Sequence, residues 1–243
     1  MSALLSLDHV HKSHWRGPHE NVVLADVSLH LRAGELVAIW GQRGAGKTTL
    51  ARLAAGLESP DRGEVRFRGE EMTRTSRGST PLLHDRIGWV RRAGPGSDEF
   101  SNIADYVALP LLGMHSPRSA RRRAGAVLRR VGVSECAEAH WKSLTDGQRT
   151  LVSIAHALVR EPALLVADDP TAYLNVLQRE EVMGLLRSAC DEEGLGILVT
   201  VPDMPELARA DQIGSLSDGR LVVPPDPEPR KNVIDFPGRE QLG

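Results

Sequence analysis

Gly41-Gln42-Arg43-Gly44-Ala45-Gly46-Lys47-Thr48-Thr49 fits the phosphate-binding pattern Gly-x-x-x-x-Gly-Lys-[Ser/Thr]. Its neighbours supply the context the pattern needs. Before it, Leu36-Val37-Ala38-Ile39-Trp40 is a short apolar run that reads as a buried strand. After it, Thr49 to Leu57 is rich in Leu and Ala and reads as a helix, with Gly56 as its stop. Gly41, Gly44 and Gly46 remove the Cβ atoms that would keep a wrapped backbone from approaching phosphates. The inward N–H groups form an anion nest, and the following helix adds its N-terminal dipole. Lys47 offers a cation to the terminal phosphates, and the Thr48 hydroxyl suits Mg²⁺. A glycine-rich turn matching by chance is the competing reading; strand, helix and Lys-Thr-Thr together outweigh it.

The chain of 243 residues is long enough for one large domain or two small ones. A hydrophobic share of 41% and a charged share of 26% match a soluble globular protein. The formal charge of −2 argues against a general nucleic-acid binder. Two cysteines, Cys136 and Cys190, make no disulfide framework and fit a reducing compartment. No apolar run approaches a membrane span. Met1 to Val10, interrupted by Asp8 and without a cationic start, does not read as a secretion signal.

Residues 3–10 and 22–31 alternate apolar and polar and predict strands, with a loop containing Gly17 and Pro18 between them. Pro60 to Gly63 predicts a turn, Glu64 to Arg68 a strand, and 69–84 a polar loop. Ile87 to Val90 reads as a strand and Ala93 to Ser97 as a break. Residues 102–140 read as mostly helical and 147–160 as another helix. The last third alternates: a strand to Asp168, a helix from Val176 to Cys190, a strand from Gly196 to Thr200, a segment from Pro205 to Ala210, and a hairpin turn at Asp218-Gly219. Alternation of this kind predicts a parallel, doubly wound core. Residues 224–243 read as a flexible tail. The Arg121-Arg122-Arg123 and Arg129-Arg130 runs read as a solvated helix face rather than a nucleic-acid or lipid patch.

A phosphate loop needs a carboxylate for its metal. Asp168 ends the apolar run Leu164-Leu165-Val166-Ala167, at the strand end where open parallel sheets bind ligands. Thr48 and Asp168 are therefore the candidate Mg²⁺ partners. Asp169 follows, where a second carboxylate would position the attacking water as general base.

With these motifs in order the chain resembles the nucleotide-binding subunit of an ABC (ATP-binding cassette) transporter over residues 1–223. Leu144-Thr145-Asp146-Gly147-Gln148 stands where that family has Leu-Ser-Gly-Gly-Gln, and Asp168-Asp169-Pro170-Thr171 where it has Asp-Glu-Pro-Thr. Leu174-Asn175 replaces Leu-Asp, and Ala210-Asp211 and Ser217-Asp218-Gly219-Arg220 match further landmarks. Val107 to Leu112 looks most like the macrolide-exporter and lipoprotein-releasing branch. The resemblance implies an α/β P-loop NTPase fold: a RecA-like parallel sheet core, an N-terminal antiparallel β subdomain and a helical subdomain inserted at about 92–154. It implies ATP and Mg²⁺ as ligands. It also implies a second cassette, in a homodimer or heterodimer, whose signature closes the ATP site, and transmembrane permease subunits held from the cytoplasmic face of the membrane.

The departures from the family pattern fall on hydrolysis. Asp169 replaces Glu and is withdrawn by one C–C bond, ~1.5 Å, and a shift on the order of 1 Å can cost ~100-fold in rate. Val201 stands where the family places a His and cannot hydrogen-bond a γ-phosphate. Arg92, or Arg91 in a shifted register, replaces a Gln and has no acceptor. Asp146 brings negative charge towards the γ-phosphate, and Asn175 replaces an Asp that links the two sites. Trp40 is bulky for its position and reads as core packing. His14 or Trp15, in the loop after the first strand, is the candidate adenine platform. The loop Gly41 to Thr49 and Asp168 are intact, so the expectation is a cassette that binds ATP and hydrolyses it slowly. A small-molecule P-loop kinase leaves Leu144 to Gln148 unexplained. A nucleic-acid-linked ABC protein would carry a coiled coil or a second cassette in the chain.

Overall fold

The computed structural model describes residues 3–72, 86–91, 102–202 and 208–224. The chain opens on a long hairpin of β1 (Leu5–Arg16) and β2 (His19–Leu31), joined at Gly17-Pro18. The expected loop is thus strand almost to its tip. Register shifts lie between Leu7 and Val10, Val10 and Lys12, and Lys12 and Ser13, but Ser13 to Arg16 pair with Val22 to His19 without a shift. His14, Trp15 and His19 to Val22 are exposed, so no burial enforces the apolar alternation that signals a strand. With β4 (Arg62–Phe67) and β5 (Glu70–Glu71) the hairpin makes an antiparallel sheet in the order β2-β1-β4-β5.

The second sheet contains β3 (Leu36–Trp40), β6 (Ile87–Val90), β7 (Leu164–Asp168), β8 (Gly196–Val201), β9 (Gln212–Ser217) and β10 (Arg220–Val222) in the order β10-β9-β3-β8-β7-β6. All its pairs are parallel except β10 with β9, which meet at the Asp218-Gly219 turn. Both faces of this sheet are covered, which is why its strands are continuous apolar runs. Val37, Ile39, Leu164, Val166 and Leu198 face α1 (Lys47–Ala54) and the antiparallel sheet. Leu36, Ala38, Leu165, Ala167, Ile197 and Val199 face the helical side.

That side holds α2 (Ile103–Ala108), α3 (Pro117–Arg130), α4 (Asp146–Leu158) and α5 (Val176–Glu193). The expected helical stretch 102–140 is two helices interrupted by tight turns. Pro110, Gly113 and the Ser116-Pro117 start interrupt it first, and Gly132 ends α3. Each of these four helices begins on a capping side chain. Asn102 accepts from the Asp105 amide, Ser116 from that of Ser119, Thr145 from Gln148 and Asn175 from Gln178. Three of the six arginines of α3 are ion-paired: Arg121 with Asp105 and Glu138 at 2.7 Å each, Arg123 with Glu161 at 3.5 Å, and Arg130 with Glu193. Among the described residues no helix is long and apolar enough to cross a membrane. The Ala93 to Ser97 break, residues 205–207 of the Pro205 to Ala210 segment and all but Pro224 of the expected tail lie outside the described residues.

Candidate functional site

Strand β3 runs into the phosphate loop, and α1 starts at Lys47. Gly46 caps the helix at φ 104°, with no side chain occupying the cap. A Cβ there would sit 2.8 Å from the Val23 carbonyl oxygen. Gly41 is required for a different reason than positive φ: its Cβ would come within 2.3 Å of the Leu216 carbonyl oxygen of β9. The first turn of α1 contains no acidic residue, so its amides and dipole are left for an anion. Lys47 Nζ folds back onto the loop, donating to the Gly41 carbonyl at 2.5 Å and the Gln42 carbonyl at 3.2 Å. Beside it lies a cleft of about 280 Å³ lined by the loop, Val23, Asp168, Asp169 and Pro202. Trp40 packs partly buried against the helical-side core.

The metal candidates meet across 120 residues of chain. Thr48 Oγ1 donates to Asp168 Oδ2 at 2.9 Å, with Oδ1 at 3.2 Å. Two hard oxygen donors beside a phosphate cradle fit Mg²⁺, which prefers a carboxylate, a hydroxyl, water and substrate phosphates to an all-protein cage. Among the described residues no cluster of three or more His, Cys, Asp or Glu could hold a metal without such phosphates. Asp169 is almost fully buried, at φ 50°, a conformation Asp tolerates better than most residues. Its amide donates to Thr200 Oγ1 at 2.9 Å. Thr200 is a site residue that motif reading misses, because its role appears only when Asp168 and Thr200 pair between β7 and β8.

The switch positions need one revision. Val201 does not line the cleft; its side chain is fully buried in the helical-side core. Alternation along β8 turns it away, and Pro202 forms the wall instead. Proline has no N–H and no polar side-chain atom, so this wall still offers no hydrogen bond to a γ-phosphate. Arg92 lies outside the described residues, and Arg91 is exposed at the end of β6. Asn175 begins α5 in a reciprocal capping box with Gln178.

The signature builds the start of α4 and lies apart from the cleft. Leu144 is buried, and Thr145 and Gln148 form a second capping box. Asp146 Oδ1 lies 3.3 Å from Arg149 Nη1, so its charge has a local partner. Gly147 packs against α5: a Cβ there would meet Gln178 Nε2 at 2.8 Å. Thr150 Oγ1 donates to the Pro170 carbonyl at 3.3 Å, tying α4 to the turn after Asp169.

The hairpin register separates the two aromatic candidates. Ser13, His14 and Trp15 pair with Val22, Asn21 and Glu20, and successive pairs point to opposite faces. His14 and Trp15 therefore lie on opposite faces; His14 does not line the cleft, and its Nε2 lies 2.9 Å from Glu58. Trp15 points the other way, 69% exposed, beside a separate hollow with His11, Val22 and Arg62.

A phosphate loop at the end of a central parallel strand, with a hydroxyl and a carboxylate converging on it from a helix and a neighbouring strand, defines a P-loop nucleotide-binding protein of the RecA-like type. The family model for the ABC transporter matches residues 24–172. The lipoprotein-releasing system ATP-binding protein LolD of Pseudomonas syringae pv. tomato is 36% identical over 222 residues, 90% of this chain and 97% of that protein. LolD of Pseudomonas fluorescens is 35% identical over 223 residues, 91% and 98% of the two chains. Among solved structures, the dimeric post-hydrolysis state of the ATP-binding cassette MJ0796, bound to ADP and Pi, superposes with a TM-score of 0.80 at 27% identity, covering 89% of this chain and 96% of that one. CbiO1 of Clostridium perfringens, described as part of the transporter complex cbiONQ, gives 0.79 at 26% identity, covering 91% and 88%. The chain belongs to the ABC transporter family, as an ATP-binding subunit of its ATP-hydrolysing class.

Proposed function

We propose that this chain binds Mg-ATP in the Lys47 cleft, that the signature of a second cassette completes the site, and that hydrolysis there is slow. The observation that carries the reading is the make-up of the cleft. Its binding parts are whole: the loop, Lys47, Thr48 and Asp168. The candidate base is the short Asp169, and the wall where a hydrogen-bonding side chain would meet the γ-phosphate is Pro202. His14, whose Nε2 lies 2.9 Å from Glu58, is the preferred adenine platform. Bound Mg²⁺ would supply charge neutralisation across the β- and γ-phosphates; Thr48 and Asp168 would hold it, Lys47 would hold phosphate, and Asp169 would orient water.

Closure by a partner is supported by what the cleft lacks. Leu144 to Gln148 do not line it, while Tyr173, Val176 and Leu177 around Asn175 are 65%, 75% and 81% exposed. Apolar surface of that kind suits burial against another chain. Leu109, Leu112 and Met114 form a second exposed apolar group, which supports docking to a transmembrane permease subunit at the cytoplasmic face. The likeness to LolD supports placing that permease in the lipoprotein-releasing branch. A partner cassette with intact motifs would give one site that clamps ATP, built on Lys47, and one that turns it over.

The test is ATPase activity of the purified chain alone and in complex with the permease and any partner cassette it co-purifies with. The chain alone should be nearly inert and the complex active. Turnover by the chain alone at an ordinary enzyme rate, ~1–10³ s⁻¹, would sink the slow-site reading.

A further inference from the structure

We propose that Thr200 is a positioning residue of the cation site, setting the carboxylate of Asp168 and the backbone of Asp169 through one buried hydroxyl. This rests on the reading that the Lys47 cleft takes Mg-nucleotide. Thr200 lies in β8, directly paired with Asp168 of β7, and is fully buried. A hydroxyl has one proton and two lone pairs, and the geometry assigns both roles. The proton goes to Asp168 Oδ1, 3.0 Å away. A lone pair accepts the Asp169 amide at 2.9 Å. The Thr200 carbonyl accepts the same amide at 3.1 Å, so the left-handed turn at Asp169 is held from both sides.

Asp168 is thereby clamped between two hydroxyls on different elements. Thr200 fixes Oδ1 from the neighbouring strand, and Thr48 meets Oδ2 from α1. With Oδ1 committed, Oδ2 is the oxygen left to face the cation and its waters. The Thr48 oxygen can accept a metal through a lone pair while its proton stays on Asp168, so the clamp survives cation binding. A β-branched side chain in a strand has few χ1 choices, which makes Thr200 a stiffer support than a serine would be. Partners of this kind around a metal-directed carboxylate typically cost roughly 10–100-fold in metal affinity when removed.

The experiment titrates a fluorescent ATP analogue into the full chain in EDTA and in Mg²⁺, for wild type, Thr200→Val, Thr200→Ala and Thr200→Ser. Wild type and Thr200→Ser should bind more tightly with Mg²⁺. Thr200→Val and Thr200→Ala should keep the affinity measured in EDTA and lose on the order of tenfold of the Mg²⁺-dependent gain. If Thr200→Val does not fold, the Ser and Ala variants, which differ by one oxygen, decide the matter. The proposal is overturned if Val and Ala retain the full Mg²⁺ gain, if they lose EDTA and Mg²⁺ affinity equally, as general packing damage would cause, or if wild-type binding ignores Mg²⁺. Wild type that binds no nucleotide in either condition would instead overturn the reading of the cleft.

Discussion

Lys47 rests on the carbonyls of its own loop, and those contacts are weak competitors for a triphosphate. An ammonium gains more from several phosphate charges in a partly enclosed cleft than from neutral carbonyls. Removing it leaves the amide nest and the α1 dipole, which are partial charges only. Lys47→Ala should therefore abolish detectable nucleotide binding in a fluorescent-nucleotide titration while the fold, read by circular dichroism, persists. Unchanged affinity would mean that the loop is not the site. Asp169 belongs to the same neighbourhood but to a different step. Its shortness withdraws a base from water and leaves the phosphate contacts untouched, so its departure from the family pattern weighs on turnover rather than affinity.

Helix α4 carries the signature at its start and a half-buried histidine near its end. His156 Nδ1 lies 3.0 Å from the Tyr106 carbonyl, which can only accept, so Nδ1 bears the proton and the ring is the Nδ1–H tautomer. The ring stacks on Tyr106 at 4.3 Å between centroids, and Trp141 meets Tyr106 edge-on at 5.7 Å. Burial lowers the His156 pKa below its ordinary 6.5; Arg160 acts in the same direction, and the Tyr106 hydrogen bond opposes both. The unfolded chain then takes up a proton near pH 6.5 that the folded chain refuses. Stability from this group is present above that pH and is lost as pH falls towards the lower folded value, by at most ~1.4 kcal/mol per pH unit. Thermal unfolding should show a midpoint that drops on acidification below pH 6.5, and His156→Gln should drop less steeply. A parallel decline in both proteins would remove His156 as the cause.

Among the described residues the exposed large apolar side chains fall around Trp15 and Val22, around 109–114 and around 173–177, with Val222 apart, and Arg121, Arg123 and Arg130 of α3 are ion-paired within the chain. Attachment to a membrane should then be indirect, through a protein partner. Mixed with liposomes of anionic and neutral lipid, the purified chain should stay in the dense fraction on flotation, or aggregate through its uncovered apolar groups. Stable flotation with pure lipid would contradict this and would point to the α3 arginines as an anchor.

Residues 36–57 spell out strand, loop and helix in one uninterrupted stretch, so the anion site could be read directly: everything that makes it, from glycine spacing to Lys47, is local. Asp168 was legible for the same reason, as the polar end of an apolar strand. The outer part of the hairpin was not, because His14, Trp15 and His19 to Val22 are exposed and carry no apolar alternation. Gly41 is fixed by the Leu216 carbonyl, and Thr200 meets Asp168 across 32 residues; neither contact has a trace in local spelling. The difference between Val201 in the core and Pro202 at the cleft is a single step along β8, and a strand sends each successive side chain to the opposite face. Which face meets the cleft is set by how β8 pairs with its neighbours, and pairing register is a property of the assembled sheet.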